Sequence, residues 1–148
     1  MADQVSRVDY YSAMIPNKPG EAARILTALE QAGINLVAFS GFPEGRKAQL
    51  DFLASDAQAL VKAVKGAGVE ISKKKTAFLV QGEDHVGAAA AIARKLADAG
   101  INIISLQTIC AGERRYGGLL WVKPEDVGRQ RRLWKPSRAG RVAIMILS

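Results

Sequence analysis

The chain has 148 residues and is 49% apolar, which excludes a disordered protein and allows one ordinary domain or two small ones. No apolar run approaches the roughly 20 residues that span a bilayer, and the first residues lack the layout of a signal peptide, so we expect a cytoplasmic protein without a membrane partner. The net charge of +7 is concentrated in residues 129–148, which hold six of the 21 basic residues and no acidic residue. The rest of the chain is nearly neutral, and we therefore expect no nucleic-acid partner.

Strands and helices alternate in the first half of the chain in the order β-α-β-β-α-β. Apolar residues at helical spacing predict the helices, and short apolar runs between Gly and Pro residues predict the strands. In chain order, the predicted elements are a strand at 8–15, a turn at 16–20, a helix that ends at Gly33, strands at 34–40 and 48–54 around a turn at 41–45, a helix capped by Asp56 that ends at 66–68, and a strand at 69–73.

The second half predicts the same order. Its elements are a strand at 76–80, a loop at 81–85, a helix that ends at Gly100, strands at 101–109 and 118–122 around a turn at 111–117, a helix that opens at Pro124, and a strand at 142–147.

An internal repeat explains this agreement. Residues 19–39 align without gaps on residues 86–106, at an offset of 67, and nine of the 21 aligned positions are identical. The sequence therefore predicts two homologous domains, at 1–74 and 75–148, of which the second has an atypical tail at 128–148.

The order β-α-β-β-α-β is that of the ferredoxin-like arrangement, in which two helices cover one face of an antiparallel sheet. We therefore predict an α+β fold of two tandem ferredoxin-like units. The strands are apolar on both alternations, as Leu36, Phe39 and Ile104 illustrate, whereas a sheet face left to water should be polar. We infer that part of this face is covered by a second chain, as in a homodimer.

Each copy has a turn that ends in Gly immediately before a helix, at Gly20 and Gly87. Free backbone N–H groups and the positive end of the helix dipole attract a carboxylate or phosphate at such a place. At the other end of each helix, Asn35 and Asn102 begin the next strand, where an amide offers both a donor and an acceptor.

These motifs resemble the ACT domain. The residues that carry the resemblance are Asn17-Lys18-Pro19-Gly20 with Gly33-Ile34-Asn35, and Asp84-His85-Val86-Gly87 with Gly100-Ile101-Asn102. The resemblance implies a small-molecule sensor, most often of amino acids, whose ligand binds at an interface between two ACT units. It implies ligand contacts at Asn17, Gly20 and Asn35, and at Asp84, Gly87 and Asn102.

The two loops differ in charge. Lys18 could draw a carboxylate, Asp84 could pair with an ammonium group, and His85 could contact the ligand or respond to pH. Other interpretations are a helix cap for Asp84, a plain surface residue for His85, and simple turn residues for Asn35 and Asn102. Cys110, the only cysteine, is interpreted as small strand filler.

The leading functional prediction is a non-catalytic regulatory protein that acts on a separate enzyme or regulator, or buffers its ligand. We expect no cofactor and no metal, because one cysteine and one histidine do not suffice for the usual zinc site.

Other functions fit the sequence less well. An acylphosphatase-like enzyme would need an arginine in the first loop, and neither 16–20 nor 81–87 contains one. The segments 48–54 and 117–123 do not match an RNA-recognition motif. A ligand-independent oligomerisation module is the main rival.

The tail breaks the repeat. Where the first copy has apolar Leu60 and Val61, the second has Gln130 and Arg131, so the helical stripe is lost. Three explanations remain open: an unusual short helix, a partner-binding arm, or a non-native end that starts near Val127.

Overall fold

A computed structural model describes residues 3–129, which form two compact units. The first unit comprises residues 9–75, and the second comprises residues 3–8 together with residues 76–129. The domain limits drawn from the repeat, 1–74 and 75–148, stay a prediction.

Two helices lie on one face of an antiparallel sheet in the first unit. Its elements are β1 (Gln4–Pro16, which begins in the second unit), α1 (Glu21–Gln31), β2 (Leu36–Glu44), β3 (Lys47–Ala54) and α2 (Ala57–Gly66). The strands lie in the order β2-β3-β1. Alternate residues of β1 and β3 and the apolar stripes of both helices share one core, which burial of this apolar surface stabilises. Its buried members include Ala13, Ile15, Ile25, Leu29, Leu50, Phe52, Leu60 and Val64.

The helix ends follow the sequence signals. Gly33 has a φ of 70°, and the N–H of Ile34 donates to the carbonyl of Leu29 at 2.9 Å, which closes the end of α1. Asp56 caps α2, since its Oδ1 accepts from the N–H of Ala59 at 3.0 Å.

Two details of the first unit differ from the sequence predictions. The strand predicted at 69–73 is only an isolated bridge, between Ile71 and Ala13. The turn predicted at 41–45 is confined to residues 45–46, and β2 continues through Pro43. Proline is tolerated there because β2 is an edge strand, which needs no N–H on its open side.

The second unit has the same strand-helix-strand-strand order, with β4 (Lys75–Glu83, whose first residue belongs to the first unit), α3 (Ala88–Asp98), β5 (Ile103–Cys110) and β6 (Arg115–Val122). The antiparallel strands lie in the order β4-β6-β5. A 3-10 helix, Pro124–Asp126, follows β6, and residues 127–129 are helical. The core beneath α3 includes Phe78, Val80, Ile92, Leu96, Leu120 and Val122, and Val5 of β1 packs against it.

The sheet face that points away from α3 is covered unevenly. Leu79 and Leu119 are register partners on that face, and they are 1% and 8% exposed within this one chain. That part of the face is buried without a second chain. On β5, in contrast, Ile104 and Ile109 are 58% and 64% exposed. An uncovered apolar surface therefore remains at the edge strand.

The predicted α+β class with ferredoxin-like units is confirmed. The last predicted strand, 142–147, and most of the atypical tail lie outside the described residues. None of the helices found between residues 3 and 129 has the length and apolar character that crossing a bilayer requires.

Candidate ligand-binding site

A cleft of about 310 Å³ opens in the second unit between the start of α3 and the end of β5. The loop that follows β4 and the first turn of α3 form one wall, and the last three residues of β5 form the other. Asp84, His85 and Gly87, three of the residues singled out in the sequence, all line it. The structure thus brings together the loop predicted to meet a ligand and the start of the following helix.

Tyr116 of β6 and the end of β5 line the base of this cleft, and Gly82 of β4 lies beside Tyr116. The register pairs Gly82 of β4 with Tyr116 of β6, and Tyr116 with Cys110 of β5. Phe78 and Val80 alternate with Gly82 along β4 and pack in the core beneath α3, so this row lies on the helix-covered face.

The start of α3 has no capping side chain. Gly87, at a φ of 87°, occupies the N-cap position, and no acidic residue lies in the first turn. The N–H groups of a first helical turn lack partners within the helix, and they carry the positive end of the dipole. The N–H of Ala88 donates to the carbonyl of His85, and that of Ala91 donates to the carbonyl of Gly87. The N–H groups of Ala89 and Ala90 are left for a carboxylate, and no bulky side chain in this first turn is in the way.

Asp84 is not the cap of α3, which corrects the alternative interpretation of this residue. Its backbone N–H donates to the carbonyl of Arg114 at 2.7 Å, which holds the loop against the β5–β6 turn. Its carboxylate is exposed, and within residues 3–129 no side chain pairs with it. It is therefore available to a cationic group of a ligand. His85 is also exposed, with its Nδ1 3.0 Å from the carbonyl oxygen of Val86.

Tyr116 supplies the buried polar atom of the cleft. The residue is 5% exposed, and its hydroxyl has no hydrogen-bond partner among the described residues. A Cβ at Gly82 would overlap Oδ1 of Asp3 and would lie 2.7 Å from Cε1 of Tyr116 and 3.1 Å from its hydroxyl, so only glycine leaves room for both side chains. Burial, and then the neighbouring Asp3 carboxylate, raise the pKa of Tyr116. The phenol therefore stays protonated near neutral pH and can donate.

Asn102 does not belong to this cleft. It follows Gly100 at the far end of α3, and the 11 residues of that helix separate it from Gly87 by about 16 Å. Within one unit, the motif thus contributes to two separate places.

The first unit shows the same separation. Asn17, Lys18 and Gly20 are exposed in the turn before α1, whereas Asn35 lines a different cleft of about 410 Å³ at the other end of that helix. In the turn, the N–H of Asn17 donates to the carbonyl of Arg46 at 3.3 Å, and Gly20 has a φ of 89°.

The chemistry at the start of α1 differs from that at α3. Glu21 lies in its first turn and accepts a hydrogen bond from Arg24 at 3.4 Å. A carboxylate already present at a helix start opposes an incoming anion. The row of the sheet beneath is Ile15, Ala48 and Pro43, in which Ile15 is only 3% exposed. This place lacks the polar groups that the second unit offers.

Sequence reasoning missed Tyr116, Thr108 and Cys110 as lining residues. The interpretation of Cys110 as packed filler is wrong, because the residue is exposed and lines the cleft. The only sequence signal for these residues was the predicted hairpin of strands 101–109 and 118–122, and no local motif sets the register of that hairpin.

In the part of the chain that the structure describes, no three His, Cys, Asp or Glu residues are grouped as metal ligands.

Comparison with known families identifies part of the second copy. Residues 76–131 match the family model described as ACT domain, which confirms the sequence resemblance for the second copy. No curated protein matches the sequence.

Solved structures extend the likeness over most of the chain. Protein BT0572 from Bacteroides thetaiotaomicron is similar with a TM-score of 0.73 at 19% identity, over 82% of this chain and 83% of that one. The ligand-free regulatory subunit of aspartate kinase from Thermus thermophilus gives 0.63 at 19% identity, over 88% and 93%. The regulatory subunit of aspartate kinase from Thermus flavus gives 0.61 at 20% identity, over 90% and 94%. At these identities the likeness establishes the fold.

Proposed function

We propose that this chain, whose residues 76–131 match the family model of the ACT domain, is a non-catalytic regulatory protein that binds an amino acid or a similar small metabolite at an interface between ACT units. The observation that carries the proposal is the cleft that brings Asp84, His85 and Gly87 together beside the uncapped start of α3. An amino acid has a carboxylate for the helix start and an ammonium group for Asp84.

The same proposal includes a homodimer and a separate target. The exposed apolar residues of β5, next to the cleft, are suited to a second copy of the chain, which would then help to close the site. Two of the similar structures are regulatory subunits of aspartate kinase, and we propose that this chain likewise acts on a separate enzyme or regulator. The free thiol of Cys110 suits the reducing cytoplasm, where we place the protein.

The ligand contacts predicted in the first copy are also part of the proposal. Asn17, Lys18, Gly20 and Asn35, and Asn102 in the second copy, lie outside the cleft of the second unit, so they could act only at a second site or against a partner copy. We expect the second-unit cleft to dominate, because the start of α1 already holds the carboxylate of Glu21.

A thermal-shift panel of the twenty amino acids at millimolar concentration tests the proposal, with nucleotides and inorganic phosphate as controls. A ligand at 100 times its Kd stabilises a protein by about 2.7 kcal/mol, which is a shift of several degrees at this chain length. We expect one or a few amino acids to respond. Asp84→Asn should abolish the response, whereas Asn35→Ala and Asn102→Ala should retain it. A flat panel would contradict ligand sensing.

A ligand-independent oligomerisation module is the second candidate, and the exposure of Ile104 and Ile109 favours it. It predicts a dimer on size-exclusion chromatography whose dissociation constant is the same with and without every amino acid of the panel. A dissociation constant that changes with one amino acid would exclude this candidate.

A further inference from the structure

The base of the second-unit cleft holds a polar atom that the fold itself does not use. The Tyr116 hydroxyl is buried and has no hydrogen-bond partner within residues 3–129. A buried hydroxyl without a partner is unfavourable, and a ligand that supplies one removes that cost. The Asp3 carboxylate lies against Gly82, beside this ring.

The first unit shows that the fold does not require a phenol at this place. The corresponding row across its sheet is formed by Ile15, Ala48 and Pro43, all without a polar side-chain atom. In the second unit the row is Gly82, Tyr116 and Cys110. The two units share the fold, so the polar row serves something other than the packing of the sheet.

The remaining groups of the cleft fix how an amino acid would lie in it. The start of α3 attracts the α-carboxylate, and the Asp84 carboxylate attracts the ammonium group. Both groups lie on the wall formed by the loop and the helix, whereas Thr108, Cys110 and Tyr116 belong to the sheet. The side chain of the ligand is left to meet the sheet residues, which are these three, each with a polar or polarisable atom, and the apolar Ile109.

We propose that Tyr116 determines specificity: the second unit selects an amino acid whose side chain hydrogen-bonds the Tyr116 hydroxyl, and it discriminates against apolar isosteres. This inference rests on the proposed function and names the class of its ligand. A site built to hydrogen-bond a polar group rejects the analogue that lacks the group, because its own buried partner is then left unsatisfied.

Isosteric pairs of amino acids test the inference in the full chain. Isothermal titration calorimetry would compare threonine with valine, serine with 2-aminobutyrate, and asparagine with leucine. We expect the polar member of at least one pair to bind ten or more times more tightly. Tyr116→Phe removes only the hydroxyl, and it should reduce this ratio about tenfold while leaving the affinity for the apolar member unchanged. Tyr11→Phe, the same change in the first unit, is the matched control and should leave the ratio intact.

The outcomes separate the two proposals. If no amino acid binds the wild-type chain, the proposed function fails and the specificity of Tyr116 fails with it. If amino acids bind but the polar and apolar members of each pair bind alike, the role of Tyr116 is overturned while the regulatory function stands. The same holds if Tyr116→Phe, with unchanged circular dichroism, retains the wild-type ratio.

Discussion

Tyr116 is held where its ionised form is unfavourable. Its ring lies over Gly82, its hydroxyl is buried, and the carboxylate of Asp3 is close by. Removal from water and a neighbouring negative charge both oppose a phenolate. The folded chain therefore binds the phenolic proton more tightly than the unfolded chain does, and this difference links stability to pH.

We predict that the alkaline loss of stability is smaller in Tyr116→Phe than in the wild type. The pKa of Tyr116 is raised in the folded state, so its contribution is complete below the unfolded value of 10.0 and declines as the pH rises above it. Above that point, the wild-type free energy of unfolding should fall relative to the variant by about 1.4 kcal/mol per pH unit. Urea unfolding between pH 8 and 11 measures the difference. If the difference in free energy of unfolding between the wild type and the variant stayed constant to pH 11, the prediction would be wrong.

At the scale of elements, the β5–β6 pair depends on a residue without a side chain. A Cβ at Gly118 of β6 would overlap the carbonyl oxygen of Gln107 and lie 3.1 Å from Cγ2 of Thr108. Both neighbours belong to β5, and the carbonyl is backbone, so a larger residue must shift the strand. Gly66, at the end of α2, has nothing within 4 Å of its Cβ position.

We predict opposite effects for alanine at these two glycines. Gly118→Ala should lower the free energy of unfolding by about 1–3 kcal/mol, because the added carbon forces two strands apart. Gly66→Ala should be neutral or stabilise by about 0.5–1 kcal/mol, since alanine favours the helix and restricts the unfolded chain. Chemical unfolding of both variants measures the effects. Equal unfolding midpoints for the two variants would show that β5 can move without loss of stability, and that the wall of the cleft formed by β5 is not rigid.

Local signals in the sequence predicted most elements and one part of the candidate site. Gly33, Gly100 and Asp56 marked helix ends correctly, because capping depends on residues adjacent in the chain. The 69–73 strand is a single bridge, since apolar composition does not ensure a pairing partner. Asp84 to Gly87 was found because the loop and the helix start are contiguous. Tyr116 was not, because its place beside that loop depends on strand register, which packing of the whole unit decides.

At the scale of the whole molecule, β5 is an edge strand with two large exposed apolar residues, Ile104 and Ile109. An edge strand offers unpaired backbone groups, and natural proteins usually protect such edges with charge or cover. Neither isoleucine is protected within the described residues. A second copy of the chain is the cover that the proposed function requires.

We predict that Ile104→Lys dissociates the proposed homodimer. A symmetric interface buries this position twice, and each buried isoleucine contributes about 1.5–3 kcal/mol, so the dissociation constant should rise at least about a hundredfold. Light scattering after size-exclusion chromatography measures the mass. Ser105→Lys, the same charge at the adjacent exposed residue, is the control and should have a weaker effect. A wild-type chain that is monomeric at every concentration would show that the dimer proposal is wrong.

The division of β1 between the two units affects how the protein can be dissected. Residues 3–8 belong to the second unit and residues 9–75 to the first, so the backbone crosses from one unit to the other twice. A recombinant fragment that starts at Thr76 would lack Val5, which packs on the core of the second unit. Such a fragment should be aggregation-prone, whereas a circular permutant that appends residues 3–8 should not. The repeat places the second domain at 75–148, whereas the second unit also needs residues 3–8. The boundaries of the repeated segment are thus not those of a fragment that can be produced alone.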